Sequence, residues 1–212
     1  EREVQVITWL LAAMDDTADH ADYEALHAAL GSELEVRRDF ILLIMSFLFP
    51  SIAMLDSRAN INSKATELRV FALEVLDNFL SSEIKEIVLP ILDDLTVAEQ
   101  LEQMSVRFPQ EQLAPDVRFH DIVDNHFERA FFWTRSCMLY QIGMAESQDH
   151  MDQVNLGLND KESVIRETAV WCLGRLQPPK LKYLVGTLLD DKSLAVRTLA
   201  RSIYEPLPEP AD

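Results

Sequence analysis

The polar residues best suited to chemistry lie in two small groups, and both groups are incomplete. The denser group consists of His120, Asp121, Asp124, Asn125 and His126. Residues four apart share a helix face, so His120 and Asp124 could form half of a metal site. Asp15, Asp16 and His20 form the second group, where acids are also expected at a helix start. Because neither group has an identifiable third and fourth ligand, we expect both to face water without binding a metal.

The two cysteines, Cys137 and Cys172, are isolated in apolar helical segments and form no C-x-x-C motif. Arg135 stands two residues before Cys137, but residues two apart lie on different faces of a helix. We therefore expect no activated thiolate. Buried, unpaired thiols in a reducing compartment fit this pattern.

Sequence motifs of the common enzyme classes are absent from the chain. It contains no G-x-x-x-x-G-K-[ST] phosphate loop, no G-x-G-x-x-G fingerprint, no H-E-x-x-H zinc motif and no G-x-S-x-G nucleophile elbow. The sequence therefore predicts a protein that is not an enzyme, with no catalytic residues, no cofactor and no bound metal.

The charge of the chain narrows the classes of partner. With 19 basic and 36 acidic residues among 212, the formal net charge is −17. Such a field repels phosphates and anionic lipids, so nucleic acid is not an expected partner, whereas surfaces rich in Lys and Arg are allowed. The longest apolar segment, Phe40 to Phe49, is shorter than the ~20 residues that span a bilayer, so we expect no membrane insertion.

The elements that carry these residues are predicted to be helices arranged in repeats. Only five glycines are present, and helix-forming Leu, Ala, Glu and Met separate the apolar residues. The segment Leu158 to Leu176 returns at a spacing of 31 residues, which is typical of a repeat array. The shift places Leu158, Asp160, Arg166 and Ala169 on Leu189, Asp191, Arg197 and Ala200.

The same spacing, with one step of 35 residues at a Pro-containing loop, divides the chain into six helix pairs that begin near residues 20, 51, 83, 116, 148 and 179. In the first pair, a short helix from Tyr23 to Leu30 is expected to end at Gly31 and Ser32, before a second helix from Val36 to Phe49. We expect a single repeat domain over 1–205 and a Pro-rich tail or linker over 206–212.

An Asp in the turn and an Arg in the second helix recur together in these repeats. A turn Asp can accept backbone N–H groups of the next helix and can pair with an Arg of its own or a neighbouring repeat. In the repeat around Gln100, a Gln replaces the Arg, so a missing rung is expected there. The predicted ladder, a structural rather than a functional feature, consists of Asp160, Arg166, Asp191, Arg197, Arg135 and Arg69.

This pattern resembles HEAT repeats, most closely over 123–204, less so over 26–80 and poorly over 84–118. The resemblance implies an all-α, right-handed α-α superhelix of the HEAT-like or armadillo type with about six helix pairs. It also implies that the second helices line the concave side. The aromatic residues expected to pack between repeats are Phe127, Phe131, Phe132, Trp133 and Tyr140.

Two segments, Val70 to Asp94 and Trp133 to Gly143, are similar to the HEAT-repeat region that follows nucleotide-transporter-like membrane domains of the major facilitator type in bacteria. This narrower resemblance implies a cytoplasmic module tethered to the inner membrane through a membrane domain outside the chain. The first residue, Glu1, is not an initiator Met, which agrees with a piece of a longer protein.

Stacked helical repeats present extended surfaces that usually bind other proteins. We therefore expect a non-enzymatic protein–protein interaction, scaffold or regulatory module, whose partner is another protein or another domain of its own polypeptide. A chromophore-handling protein similar to bilin lyase-like repeat proteins is the alternative, with Trp133 and His126 as its best candidate residues. A DNA-binding HEAT-like glycosylase is disfavoured by the net charge of −17.

Overall fold

The structure of the chain is a computed structural model that describes residues 1–49, 52–61, 63 and 65–207. Within these ranges the chain forms twelve α-helices and one short 3₁₀ helix, and no β-strand. The prediction of an all-α, helical-repeat fold is confirmed.

The helices, numbered in chain order, are α1 (Arg2–Thr17), α2 (Glu24–Leu48), α3 (Ile52–Ile61), α4 (Thr66–Phe79), α5 (Ser82–Leu92), α6 (Val97–Ser105), α7 (Pro115–His126), α8 (Phe132–Ala145), α9 (Met151–Leu158), α10 (Ser163–Leu176), α11 (Leu181–Gly186) and α12 (Leu194–Tyr204). The 3₁₀ helix covers Ala21–Tyr23. Helices α3, α5, α7, α9 and α11 begin at residues 52, 82, 115, 151 and 181, and each is followed in the chain by one further helix.

The described chain divides into two compact units. Unit 1 comprises Glu1–Asp19 and Leu30–Ala114, and unit 2 comprises His20–Ala29 and Pro115–Asp212. The predicted single domain over 1–205 stays a prediction, and most of the predicted tail over 206–212 lies outside the described residues.

The predicted break at Gly31 and Ser32 is wrong, because α2 continues from Glu24 to Leu48. Gly31 does not have the positive φ of a helix-ending glycine. A glycine inside a helix costs only about 1 kcal/mol relative to Ala, and apolar burial on both sides of Gly31, by Leu30 and Leu34, offsets that cost. The first predicted helix pair is therefore one long helix.

The core of unit 1 is formed by apolar residues of α1, of α2 and of the two helix pairs that follow in this unit, α3–α4 and α5–α6. Arg37 of α2 lies within this core and pairs with Glu33 at 2.8 Å and with Glu3 of α1 at 2.9 Å. Burial of this ion group is tolerated because each charge has a partner. The buried apolar residues include Ile7, Leu11, Leu42, Leu76, Ile91 and Met104.

In unit 2, α10 packs against α8, α9, α11 and α12 and is buried on more than one face. This accounts for the near-continuous burial of Ile165, Ala169, Val170 and Leu173. At the start of the unit, the buried Tyr23 donates a hydrogen bond to Asp116 of α7 at 2.7 Å, and its ring stacks on Phe119. Burial, followed by the bond to Asp116, raises the pKa of Tyr23.

Two glycines in the same repeat position allow the second helices of unit 2 to approach closely. A Cβ on Gly143 of α8 would lie 2.5 Å from the ring of Trp171. A Cβ on Gly174 of α10 would lie 2.9 Å from the Cδ1 of Ile203. Each glycine therefore leaves room for one large side chain of the next second helix.

Candidate functional site

The predicted ladder residues Arg166 and Asp191 form a two-point ion pair in unit 2. Arg166 donates from Nε and from Nη2 to the two carboxylate oxygens of Asp191, each at 2.7 Å. Both side chains are almost fully buried, with exposed fractions of 5% and 7%. Planar, two-point pairing of this kind is the strongest geometry open to an Arg and a carboxylate.

The electrostatics of this pair agree with a structural role. The hydrogen bonds from Arg166, with a further one from the backbone N–H of Ser193, hold the pKa of Asp191 below its ordinary value. The carboxylate in turn raises the pKa of Arg166. Both groups are therefore charged throughout the physiological range, so neither is suited to exchange protons with a substrate.

The same type of pair recurs at two other places with a constant separation of 25 residues. Arg135 pairs with Asp160 in unit 2, and Arg69 pairs with Asp94 in unit 1. Asp94 was missed in the prediction, although shifting Asp160 back through the 31- and 35-residue steps arrives at this position. In each pair the acid stands in the turn of the repeat that follows the Arg.

Three of the ladder arginines also bind a carbonyl oxygen in the turn of their own repeat. Arg166 donates to the carbonyl of Asp160 at 2.8 Å, and Arg69 donates to that of Ser63 at 3.0 Å. Arg197 contacts the carbonyl of Asp191 in the same way. Each Arg of this kind thus stabilises its own turn, and the paired ones also hold the next turn.

Gln100 stands where the pattern has an Arg, and it keeps only part of the Arg's role. Its buried side-chain amide donates to the carbonyls of Ile91 and Asp93, at 3.4 and 3.2 Å. Its Oε1 accepts from Arg38 at 2.8 Å. In the repeat that follows Gln100, the turn position equivalent to Asp160 holds Arg129. At positions 100 and 129 the chain therefore has a Gln and an Arg where each of the three pairs described above has an Arg and an Asp.

The predicted half-site of His120 and Asp124 gains a third group, His150, which the sequence did not reveal. His120 Nδ1 lies 2.7 Å from His150 Nε2, and His150 Nδ1 lies 3.1 Å from Asp124 Oδ1. His150 is buried at the start of α9, about one repeat after His120, and that spacing was the available signal.

This arrangement is a hydrogen-bond relay rather than a chelate. The two ring nitrogens of His150 point to different partners, so they cannot converge on one ion with His120 and Asp124. In the described residues no group of three or more His, Cys, Asp or Glu side chains has the geometry to hold a metal ion. In the second group, Asp16 accepts a hydrogen bond from the backbone N–H of Leu113.

The two cysteines are buried and unpaired. Burial raises the pKa of Cys137 to about 11 and that of Cys172 to about 12. Both thiols are protonated near neutral pH and are poor nucleophiles.

The aromatic residues expected in the core divide into a buried and an exposed set. Phe127 is buried, as expected, but Phe132, Trp133 and Tyr140 are exposed. Along α8, Trp133, Tyr140 and Met144 are spaced by seven and four residues, so they share one face. Their exposed fractions are 51%, 41% and 48%.

Trp171 of α10 extends this face, because its ring stacks on Tyr140 with centroids 5.1 Å apart and planes 20° apart. We call Trp133, Tyr140, Met144 and Trp171 the aromatic shelf. Gly143 makes the shelf possible, since any larger residue would displace the Trp171 ring.

Unit 1 has a different exposed surface on α4. Ala72 and Leu76 of α4 are buried, but Leu68 and Phe79 are exposed. With the exposed Phe71 and the half-buried Val75, they form an outward apolar row, which we call the α4 stripe. It consists of Leu68, Phe71, Val75 and Phe79.

The surface pockets formed by described residues include the following three. One of about 370 Å³ lies between α4 and α5 in unit 1 and is lined by Leu73, Glu74, Asp77, Asn78, Leu89 and Asp93. Another, of about 350 Å³, lies beside α7 and α9 and includes Asp124, Arg129 and Gln153. The third, of about 250 Å³, includes Phe131, Phe132 and Arg135. Neither Trp133 nor His126 lines any of these three pockets.

These features define a class of protein: an all-α helical-repeat protein whose consecutive turns are joined by Arg–Asp pairs. Within this class, the family model described as HEAT repeat matches residues 154–178, which contain α9 and α10. The match supports the prediction of a HEAT-repeat protein. HEAT repeats generally mediate protein–protein interaction.

No curated protein and no solved structure matches the chain. The narrower resemblance to a region that follows transporter-like membrane domains stays a prediction. In the described part of the chain, no helix combines the length and the apolarity needed to cross a membrane.

Proposed function

We propose that this chain is a non-enzymatic protein-interaction module that binds a partner through the aromatic shelf. Trp, Tyr and Met are enriched in the buried centres of protein interfaces, where a few such residues carry most of the binding energy. The exposure of Trp133, Tyr140 and Met144 side by side on α8 is the single observation that carries this proposal.

The helices beneath the shelf support the proposal because they are firmly held together. Arg135 of α8 pairs with Asp160 in the turn before α10, and Arg166 of α10 pairs with Asp191 in the turn before α12, so each of these helices is tied to the turn of the next repeat. Stacking of Tyr140 on Trp171 fixes the two rings before any partner arrives. A surface that is already ordered loses less conformational entropy on binding.

The state of the reactive groups also favours binding over turnover. The thiols are protonated, the ladder carboxylates are paired, and His150 has both ring nitrogens engaged. The partner that we propose is another protein or another domain of the same polypeptide. The latter includes the transporter-like membrane domain, which would tether this module at the cytoplasmic face of the inner membrane.

The proposal is tested with the double variant Trp133→Ala/Tyr140→Ala and the control variant Tyr183→Ala, whose aromatic ring is also exposed but belongs to α11. Proteins captured from a native lysate by affinity purification are compared by mass spectrometry, and far-UV circular dichroism checks the fold. We expect a partner that the wild type and Tyr183→Ala retain and the double variant loses. Identical capture by all three proteins would contradict the proposal.

A chromophore-handling role is the alternative function, favoured only by the flat Tyr140–Trp171 stack. Such a role needs a cleft that excludes water around the pigment, but Trp133 and His126 line none of the three pockets described above. Titration with a tetrapyrrole distinguishes the two functions. We expect no shift of its absorption bands, and a saturable shift lost in Trp133→Ala would favour the alternative.

A further inference from the structure

We propose that the α4 stripe and the acidic residues along its edge form a second docking surface, whose occupant is a basic amphipathic helix of a partner protein. This surface belongs to unit 1 and shares no residue with the aromatic shelf. The inference goes beyond the proposed function, because the shelf and this surface can each be correct without the other.

The apolar part of the surface is a regular row on one face of α4. Leu68, Phe71, Val75 and Phe79 are separated by three, four and four residues, which is the spacing of one helix face. Ala72 and Leu76, on the face of α4 next to the row, are fully buried, so the row lies at the border between the covered and the open sides of the helix. Phe71, with 56% of its surface exposed, is the most open residue of the row.

Such a row fits a helix better than an extended strand. A partner helix with apolar residues at positions i, i+3 or i+4, and i+7 can pack its ridge along the row of α4. An exposed row of this kind on a monomer is typical of an interaction site.

Acidic side chains flank the row and define the charge of the occupant. Glu67 and Glu74 are exposed one position before Leu68 and Val75, and they follow the row along its edge. Within the described residues, the Glu74 carboxylate forms no ion pair. An acidic or uncharged partner would leave these carboxylates uncompensated, whereas Lys or Arg would pair with them.

Glu74 connects this acidic edge to the α4–α5 pocket, whose α4 residues Leu73 and Asp77 lie on the far side of the helix from the row. Leu73 and Leu89 supply apolar wall, and Glu74, Asp77 and Asp93 supply carboxylates around it. Lys and Arg place their methylene stems against apolar surface while the charged ends reach acidic groups. A Lys or Arg beside the apolar face of the partner helix can therefore pair with Glu74 at the rim of the pocket.

The chain itself contains an example of this recognition at the edge of the pocket. The ammonium group of Lys85 on α5 lies 3.0 Å from Asp77 Oδ1. A bare metal ion is a poorer occupant, because the acidic groups of the described residues do not converge in metal geometry. Phosphate-bearing surfaces are excluded by the same carboxylates and by the net charge of −17.

The test uses the full chain and two synthetic helical peptides of about 18 residues, long enough to follow the whole row. Both carry Leu at the positions that face α4. One has Lys and Arg along the flank, and the other has Glu at the same positions. Fluorescence anisotropy measures Kd at about 50 and 300 mM salt, where charge pairing at an exposed rim is screened to different extents.

We expect the basic peptide to bind at least about tenfold more tightly than the acidic peptide, and to weaken at the higher salt. Phe71→Ala and Glu74→Lys should each weaken it about tenfold or more. Glu102→Lys, which makes the same charge change at an exposed position of α6, should leave Kd within about twofold.

Three results would overturn the inference: no binding of the basic peptide, equal affinity for both peptides, or equal loss in Glu74→Lys and Glu102→Lys. Trp133→Ala/Tyr140→Ala separates the two surfaces. Retention of peptide binding in that variant is expected, and loss of binding there with retention in Phe71→Ala would assign the peptide to the aromatic shelf instead.

Discussion

Helices α4 and α8 occupy the same position in their repeats but carry different residue types at corresponding outward positions. Both carry a ladder arginine, Arg69 or Arg135, at the same register. Their buried positions also correspond, with Ala72 and Leu76 in α4 matching Met138 and Ile142 in α8. Outward positions differ completely: Glu67, Glu74 and Asn78 in α4 correspond to Trp133, Tyr140 and Met144 in α8.

Some positions of the repeat are needed for stacking in every repeat, whereas others can vary from one repeat to the next. The buried positions and the Arg–Asp pairs hold the stack together, so their residue types are restricted. The outward positions face water and contribute little to stability, so their residue types can differ between repeats.

The pairs themselves differ in strength between the two units. Asp191 is 7% exposed and is held at two points, whereas Asp94 is 77% exposed and is held at one. Arg69 and Arg135 each leave a buried Nε without a hydrogen bond, but the Nε of Arg166 is paired. The Arg166–Asp191 pair is therefore expected to matter most.

The largest expected effect comes from breaking that pair. Asp191→Ala leaves the buried Arg166 without its partner and should lower the free energy of unfolding by about 3 kcal/mol. Asp94→Ala, at an exposed pair, should cost less than about 1 kcal/mol. Urea denaturation followed by circular dichroism measures both, with the exposed neighbour Asp190→Ala as control. Similar losses for Asp191→Ala and Asp94→Ala would refute the ranking.

The next effect contrasts two helical glycines. Gly143→Ala forces its new Cβ against the Trp171 ring and should destabilise the protein by about 1–3 kcal/mol. Gly31→Ala meets only Met14 at an ordinary 3.5 Å and should stabilise α2 by about 0.5–1 kcal/mol. Thermal unfolding of the two variants gives the sign of each change. The idea of a close approach at Gly143 fails if both variants are stabilised.

A smaller effect concerns pH. The pKa of Asp191 is lowered in the folded chain by Arg166 and has its ordinary value, about 4, in the unfolded chain. The resulting stabilisation is complete above the unfolded pKa and is lost as pH falls through the folded pKa. The advantage of wild type over Asp191→Asn should therefore shrink as urea denaturation is repeated from pH 7 down to about 3. For Asp94→Asn the difference should be small throughout, and a growing wild-type advantage at Asp191 would contradict the assigned direction.

The smallest expected effect comes from exchanging outward residues. Glu74→Tyr gives α4 the residue that α8 has at the same position, and it should change the free energy of unfolding by less than about 0.5 kcal/mol. The same variant should lose affinity for the basic peptide. A large loss of stability would show that Glu74 has a structural role and that the outward positions are not independent of the stack.

Much of the fold could be predicted because buried positions recur with a fixed period. The segment Leu158 to Leu176 predicted the register of α10, and the turn acids followed from it. Gly31 misled the prediction, since a local helix-ending signal was overridden by packing on both sides. Trp133 and Tyr140 were assigned to the core because periodicity shows which residues share a face but not whether that face is covered.

The relay of Asp124, His150 and His120 could not be predicted in the same way. His150 is about one repeat away from His120, and only the folded chain brings their rings within hydrogen-bonding distance. The α4–α5 pocket depends likewise on the packing of two helices, which the residue pattern of either helix does not specify.

Gly143 and Gly174 have a consequence for how this chain can evolve or be rebuilt. The two glycines occupy the same position, yet one receives the flat indole of Trp171 and the other the branched side chain of Ile203. The space at each glycine therefore matches the shape of the one side chain that packs against it. Repeats with similar sequences cannot simply be duplicated or exchanged. A transplanted repeat would place a side chain of the wrong shape against the glycine of its new neighbour. The order of the repeats in unit 2 is thus encoded in the matched shapes of these contacts.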